Sequence, residues 1–292
     1  MRSGVRRVGP CAPLRCNSAN GSFAVPAIST ATPKVDIRGA TVEFPARRGR
    51  TPVRALSDLG LTVGEGEFVA VLGPSGCGKS TALNLIAGFM RPTTGSVSVS
   101  GKNVARPGPE RGVVFQDANL LPWLTVRRNV TLGPRLRKES ATQYEDRVTE
   151  VLAEVGLDGF ENHLPGELSG GMRQRVALAR VLVNSPEVLL MDEPFGALDA
   201  QTRMVMQELL LRIWEKERTT VLFITHDVDE SLLLADRIYV MTARPGRLKE
   251  VVDVDLPRPR DYALTTSPRF QELKRHVLEL IHSESVRAAA QV

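Results

Sequence analysis

Two periods organise the hydrophobic positions of the chain. Over residues 35–44, VDIRGATVEF, apolar and polar side chains alternate, the mark of a strand with one buried face. An Arg-rich polar turn, ARRGRTPVR, follows, and ALSDLGLTV at 55–63 alternates again. After the turn EGEF, the segment FVAVLG at 68–73 is apolar throughout, as in a short strand covered on both faces. A helix is expected over STALNLIAGFM, stopping near RPTTG, where Pro92 and Gly95 break it. SVSVSGK and GVVFQ read as further strands. From about 126 to 182 the period becomes helical. Val148, Val151, Leu152 and Val155 form one stripe, and GGMRQRVALARVLVN predicts a second helix after Ser169. EVLLMDEP and TTVLFITHD then read as buried strands, with the helix MVMQELLLRIWEKE between them. A helix, a strand, a turn and another strand are expected over DESLLLADRIYVMTARPGRLKEVVDV, and a terminal helix over PRFQELKRHVLELIHSE.

Strands alternating with helices imply an α/β fold with a largely parallel sheet under a cover of helices. The helical stretch at roughly 117–180 reads as a subdomain inserted into that sheet. The expected division is a tail at 1–34, a main domain at 35–262, and a C-terminal helix and tail at 263–292. Residues 1–34 contain no Asp or Glu and show no apolar period, so a disordered tail is expected there. Transit peptides share this composition, and a start codon further downstream would also account for it. No apolar run of signal-peptide length follows the arginines.

Composition narrows the functional classes. Hydrophobic residues make up 42% and charged residues 24%, the usual range for a soluble globular protein. No stretch approaches the roughly 20 uncharged apolar residues of a membrane helix, so any work at a membrane is expected from outside the bilayer. The net charge of +5 suits an anionic ligand or surface. Aromatic residues do not interleave with the basic ones, and nucleic acid is not an expected partner. Three cysteines, Cys11, Cys16 and Cys77, argue against a disulfide framework and for a reducing compartment. Cys77 sits at a predicted helix N-terminus, a position that lowers thiol pKa and makes its thiol a candidate for reactivity.

The chemistry starts at GPSGCGKS, residues 73–80, which fits G-x-x-x-x-G-K-[ST] between a buried strand and a helix. Gly73, Pro74, Ser75, Gly76, Cys77 and Gly78 would curl backbone N–H groups around phosphate oxygens, aided by the helix terminus. Lys79 would reach the β- and γ-phosphates. Ser80 would coordinate Mg²⁺, and Thr81 would contact the α-phosphate. The loop alone is compatible with a kinase, a GTPase or an ATPase.

Two acids end the strand VLLMDEP. Asp192 is placed to hold Mg²⁺, directly or through water, and Glu193 to polarise an attacking water as general base. His226 ends VLFITHD and is placed to hydrogen-bond the γ-phosphate or that water. In LSGGMRQR, Ser169, Gly170 and Gly171 leave N–H groups at a helix N-terminus, a second anion site without purpose in one copy. It makes sense if a second copy supplies the nucleotide.

With LSGGM the chain resembles the ATP-binding subunits of ABC transporters over roughly residues 35–282. Phe44, GPSGCGKST, Gln116, LSGGM, LLMDEP, ALD and His226 occur in the family's order. The resemblance implies a P-loop ATPase with a mainly parallel core sheet, an antiparallel β subdomain and an inserted helical subdomain. It implies a homodimer sandwiching two ATP molecules, in which Ser169, Gly170 and Gly171 of one copy face the γ-phosphate held by Lys79 of the other. Asp199 of ALD would link the two sites, Gln116 would contact Mg²⁺ and the attacking water, and Phe44 would stack on adenine. Met172 replaces the Gln of the usual LSGGQ. Finer likeness, in ERGVVFQDANLLPWLTVRRNV and DEPFGALDAQTR, is to importers of nitrate, sulfonates and taurine. Trp123 would then help form a groove for a helix of the membrane subunit. Two permease subunits, a solute-binding protein outside the cell and a peripheral place on the cytoplasmic face follow as expectations. A soluble ATPase of the repair or ribosome type is disfavoured by the single phosphate loop and the lack of sustained heptads. An exporter subunit is disfavoured by the LLPW segment. Bicarbonate, cyanate and pyrimidine precursors stay open as solutes beside nitrate, sulfonates and taurine.

Overall fold

A computed structural model describes residues 32–45 and 51–289. All but the last three residues of the expected tail, with Cys11 and Cys16, lie outside the described residues. Four strands, β1 (Val35–Phe44), β2 (Val53–Val63), β4 (Thr94–Val99) and β5 (Lys102–Asn103), form an antiparallel sheet in the order β2-β1-β4-β5. Six more, β3 (Phe68–Leu72), β6 (Arg111–Val114), β7 (Val188–Asp192), β8 (Thr220–Ile224), β9 (Arg237–Met241) and β10 (Leu248–Asp253), form the main sheet. Its order is β10-β9-β3-β8-β7-β6; every pairing is parallel except β10 on β9.

The two-residue period of these strands divides the core. Phe68, Ala70, Leu72, Leu189, Met191, Val221 and Phe223 face one hydrophobic cluster, while Val69, Val71, Val188, Leu190, Leu222 and Ile224 face another. Both faces are covered, which is why these strands read as unbroken apolar runs. The first cluster takes in α6 (Ala200–Glu217), α7 (Val228–Leu234) and α8 (Pro268–Ala289), with Trp214 edge-on to Phe68 at 5.7 Å between ring centroids. The second takes in α1 (Lys79–Ala87) and the buried face of the antiparallel sheet. α1 stops at Gly88, short of the expected break at Pro92. Gly88 adopts φ 81° and its N–H satisfies the last carbonyls of the helix. A left-handed glycine ends a helix before a downstream proline can act.

Between β6 and β7 the chain forms α2 (Val126–Val130), α3 (Leu132–Leu136), α4 (Ala141–Glu154) and α5 (Gly170–Leu182). The stripe Val148, Val151, Leu152 and Val155 is buried in the first cluster. Farther on, buried Arg260 donates to the carbonyls of Leu232, Leu233, Ala235, Val254 and Leu256, tying the end of α7 to the exit of β10. Burial, and then the neighbouring Arg258 cation, push this guanidinium down to about 10. No helix among the described residues is long and apolar enough to cross a membrane.

Candidate functional site

The parallel strands bring their C-terminal ends to one edge, and the site is built there. β3 ends at Leu72, and residues 73–78 turn the chain into α1. Gly76 and Gly78 have φ of 74° and 101°, so both positions need glycine. Positive-φ residues alternating with ordinary ones make a concave run of N–H groups suited to an anion. A Cβ at Gly78 would lie 2.6 Å from Leu56 Cδ2, so the loop rests directly on β2. Lys79 is only 6% exposed, and its ammonium donates to the carbonyls of Gly73 at 2.9 Å and Pro74 at 3.3 Å. Those carbonyls satisfy a buried cation that in ordinary surroundings would sit in water.

A cavity of about 280 Å³ opens above the loop. Ser75, Gly76, Gly78, Lys79, Ser80 and Thr81 form its floor. Phe44, Val53 and Ala55 form an apolar wall, and Glu193 and Arg244 complete it. The Phe44 ring is 42% exposed, an aromatic face open to the cavity rather than packed in the core. One apolar wall with a floor of N–H groups and a lysine fits a molecule with a flat ring at one end and phosphates at the other.

Two pairings place the strand-end residues. The Ser80 hydroxyl donates to Asp192 Oδ1 at 3.1 Å, joining the start of α1 to the end of β7. Burial raises the Asp192 carboxyl; the Ser80 hydrogen bond opposes this, and the Glu193 charge adds to it. Glu193 follows with φ 46°, a left-handed conformation held from both sides. Its N–H donates to Ile224 O at 2.9 Å, and its carbonyl accepts from Gly196 N at 3.1 Å. A non-glycine residue stays in that region only where its surroundings fix it. Its carboxylate lies 3.0 Å from His226 Nδ1. Gln116 is exposed and comes up to the turn after Glu193, its Nε2 lying 3.2 Å from the position of a Cβ on Gly196.

These oxygens suit Mg²⁺. The Ser80 hydroxyl and the Asp192 carboxylate are adjacent hard donors, with the Gln116 amide toward the same turn. No cluster of three His, Cys, Asp or Glu side chains occurs among the described residues. Mg²⁺ bound with a nucleotide needs no such cage, because phosphates and water complete its octahedron.

Ser169, Gly170 and Gly171 are not among the walls of this cavity. Ser169 caps α5, accepting from Met172 N at 3.2 Å. Gly170 is exposed, whereas Gly171 is buried and a Cβ on it would lie 2.5 Å from Thr202 Cγ2 of α6. Met172 packs its side chain against the main core. Asp199 caps α6, and the Thr202 N–H holds its carboxyl below the usual range. Trp123 is 71% exposed; Leu124, next in the chain, lines a cavity with Arg127, Arg128 and Tyr144.

The expectation of a reactive Cys77 is corrected. The residue is 1% exposed, and burial raises its thiol, outweighing Lys79 and the N–H groups that act the other way. Sequence reasoning also missed Arg244 and Gly246. Gly246 N donates to Ala55 O at 2.8 Å, and a Cβ on Gly246 would lie 1.9 Å from Cys77 O, so the turn at 243–247 packs directly against the loop. The only signal was the Pro-Gly pair, which marks a turn but not what the turn touches.

Behind His226, Thr225 donates to buried Glu230, which also accepts from Gln207 Nε2 at 2.8 Å. Gln207 in turn accepts from the Tyr262 hydroxyl. Burial raises the Glu230 carboxyl against these hydrogen bonds. The folded chain therefore holds this proton to higher pH than the unfolded chain. The resulting stability is complete below the ordinary glutamate range and is lost as pH rises through the folded value. Glu230→Gln does not titrate. Its melting temperature relative to wild type should rise by roughly 2–4 °C between pH 4 and pH 7. A gap that does not change with pH in melting curves would show that the folded chain does not raise the Glu230 carboxyl above its unfolded value.

Residues 56–196 match the family model for the ABC transporter. An uncharacterised ABC transporter ATP-binding protein of Methanocaldococcus jannaschii is 51% identical, over 81% of this chain and 87% of its own. A taurine import ATP-binding protein of Pelagibacter ubique is 47% identical, over 82% and 91%. An aliphatic sulfonates import ATP-binding protein of Bacillus cereus is 45% identical, over 84% and 94%. Among solved structures, the dimeric post-hydrolysis state of an ATP-binding cassette bound to ADP and Pi superposes with a TM-score of 0.66 at 34% identity. It covers 76% of this chain and 100% of that one.

Proposed function

The chain belongs to the ABC transporter ATP-binding family, and from that premise we propose that it is the ATP-hydrolysing subunit of an importer for a small anionic or zwitterionic solute of the nitrate, sulfonate or taurine kind. One observation carries the working unit. The anion site at Ser169 and Gly170 is exposed and stands apart from the chain's own nucleotide cavity. A head-to-tail homodimer gives it a ligand, the γ-phosphate held by the second copy's Lys79. The solved cassette dimer with ADP and Pi supports this arrangement, and the names of the taurine and sulfonate relatives support the solute class.

In this reading Phe44 stacks on adenine, the loop N–H groups receive the phosphates, and Thr81 meets the α-phosphate. Lys79 exchanges the Gly73 and Pro74 carbonyls for β- and γ-phosphate oxygens. Ser80, Asp192 and Gln116 would hold Mg²⁺, which would supply positive charge to the transferred phosphoryl. Glu193 orients the attacking water and takes its proton, while His226 holds the Glu193 carboxylate and reaches toward the γ-phosphate. Ser169 and the Gly170 and Gly171 N–H groups of the second copy add donors aimed at the developing charge. Asp199 couples the two sites. Closing and reopening of the dimer then drives two permease subunits on the cytoplasmic face of the membrane, engaged at the exposed Trp123. A solute-binding protein delivers the cargo on the far side.

Growth of a strain lacking this chain tests the solute class. Growth on sulfate as sulfur source and ammonium as nitrogen source should persist, while growth on taurine or an alkanesulfonate, or on nitrate as nitrogen source, should fail. Restored growth with the wild-type chain, and none with Lys79→Ala, would support the reading. Undiminished growth on taurine, alkanesulfonate and nitrate alike would overturn the solute class and leave the ATPase assignment standing.

A further inference from the structure

We propose that Arg244 is a nucleotide-contacting residue whose guanidinium binds the phosphate chain of the ATP in the cavity above the loop. It rests on the reading of that cavity as an ATP site. Arg244 lines the cavity together with the phosphate loop, Phe44 and Glu193. Among the described residues it makes one hydrogen bond, from Nε to Gly76 O at 3.3 Å, and Nη2 lies 3.2 Å from the position of a Cβ on Gly76. Among the described residues its two terminal amino groups have no acceptor, although a guanidinium carries five N–H donors in a fixed fork. A planar cation with an unengaged fork lining a phosphate site is matched to oxyanions.

The residue is also presented rigidly. Gly246 is bonded to β2 through Ala55 O at 2.8 Å and Ser57 N at 3.0 Å. On the other flank, Ala243 N donates to Glu284 Oε2 at 3.1 Å. Glu284 is buried on α8 and pairs with Lys249 at 2.9 Å. The turn bearing Arg244 is thus clasped between the antiparallel sheet and the C-terminal helix, so little loop freedom is lost when its side chain meets a ligand.

Titration calorimetry of MgATP and MgADP into the full-length chain tests this. A charge-assisted hydrogen bond corresponds to about a tenfold change in affinity. Arg244→Ala should weaken both nucleotides about tenfold, and Arg244→Lys, which keeps the charge without the fork, should recover to within about threefold of wild type. The melting temperature without nucleotide should be unchanged in both variants, because the side chain is exposed. Wild-type affinity in Arg244→Ala would overturn the inference. So would an equal loss in the Ala and Lys variants together with a lowered melting temperature, which would mark a structural role. A wild-type chain that bound neither nucleotide would instead overturn the ATP site itself.

Discussion

Glu193→Gln should lower steady-state MgATP hydrolysis by about 10²–10⁴-fold, the range lost with a general base. Nucleotide affinity should stay within about threefold of wild type, since Gln removes a charge and a basic oxygen but little volume. The geometry makes the comparison a clean one. Glu193 is pinned at φ 46° by hydrogen bonds from its N–H to Ile224 and from Gly196 to its carbonyl. The amide therefore occupies the place of the carboxylate, and the His226 contact at 3.0 Å can be remade through its oxygen. Loss of turnover would then report the missing base rather than a collapsed site. With binding intact and hydrolysis stopped, the ATP-bound dimer should accumulate, visible as a doubled mass by light scattering. Turnover at the wild-type rate, or a variant that stayed monomeric with ATP bound, would remove Glu193 from the mechanism.

Gly246→Ala is expected to damage the nucleotide site nearly as much, from a position outside it. Its Cβ would stand 1.9 Å from Cys77 O and 2.9 Å from Met241 Cε. The methionine side chain can move, but the Cys77 carbonyl is backbone of the phosphate loop. Overpacking of this kind costs about 1–3 kcal/mol when the surroundings must shift. The strain falls where Gly76 and Gly78 set the direction of the N–H groups. MgATP affinity should fall by about 10- to 100-fold, the same free energy read as binding. The melting temperature should drop by only a few degrees. Wild-type affinity would show that the turn yields instead of the loop. Ala at Gly60 makes a control, since a Cβ there meets nothing within 4 Å.

Much of this arrangement was legible because it depends on short-range signals. The phosphate loop is one contiguous motif between a strand and a helix, and Asp192, Glu193 and His226 each end an apolar run. Parallel strands carry all such ends to one edge, so the Ser80–Asp192 and Glu193–His226 contacts follow from topology. Legibility failed where two local rules competed or where partners were far apart in sequence. At α1 a left-handed glycine ended the helix before the proline that seemed the stronger breaker. At Cys77 the helix terminus lowers thiol pKa and burial raises it, and nothing in GPSGCGKS states that Leu56 and Gly246 pack against the loop. Arg244 lies 168 residues from the Gly76 carbonyl it touches, a separation that no periodicity can bridge.

The distance between the Ser169 loop and its own chain's cavity has a genetic consequence. If each nucleotide is closed by the other copy, a defective chain does not merely fail by itself. It also occupies a partner. Expressed in equal amounts with wild type, a Lys79→Ala chain that still pairs would leave about one quarter of the pairs wholly wild type under random assembly. A Ser169 defect spoils the other site of a mixed pair, so a pair of one Lys79→Ala chain and one Ser169-defective chain keeps one complete site, built from the latter's loop and lysine and the former's signature. The two alleles would therefore complement each other at half their sites, which neither can do alone.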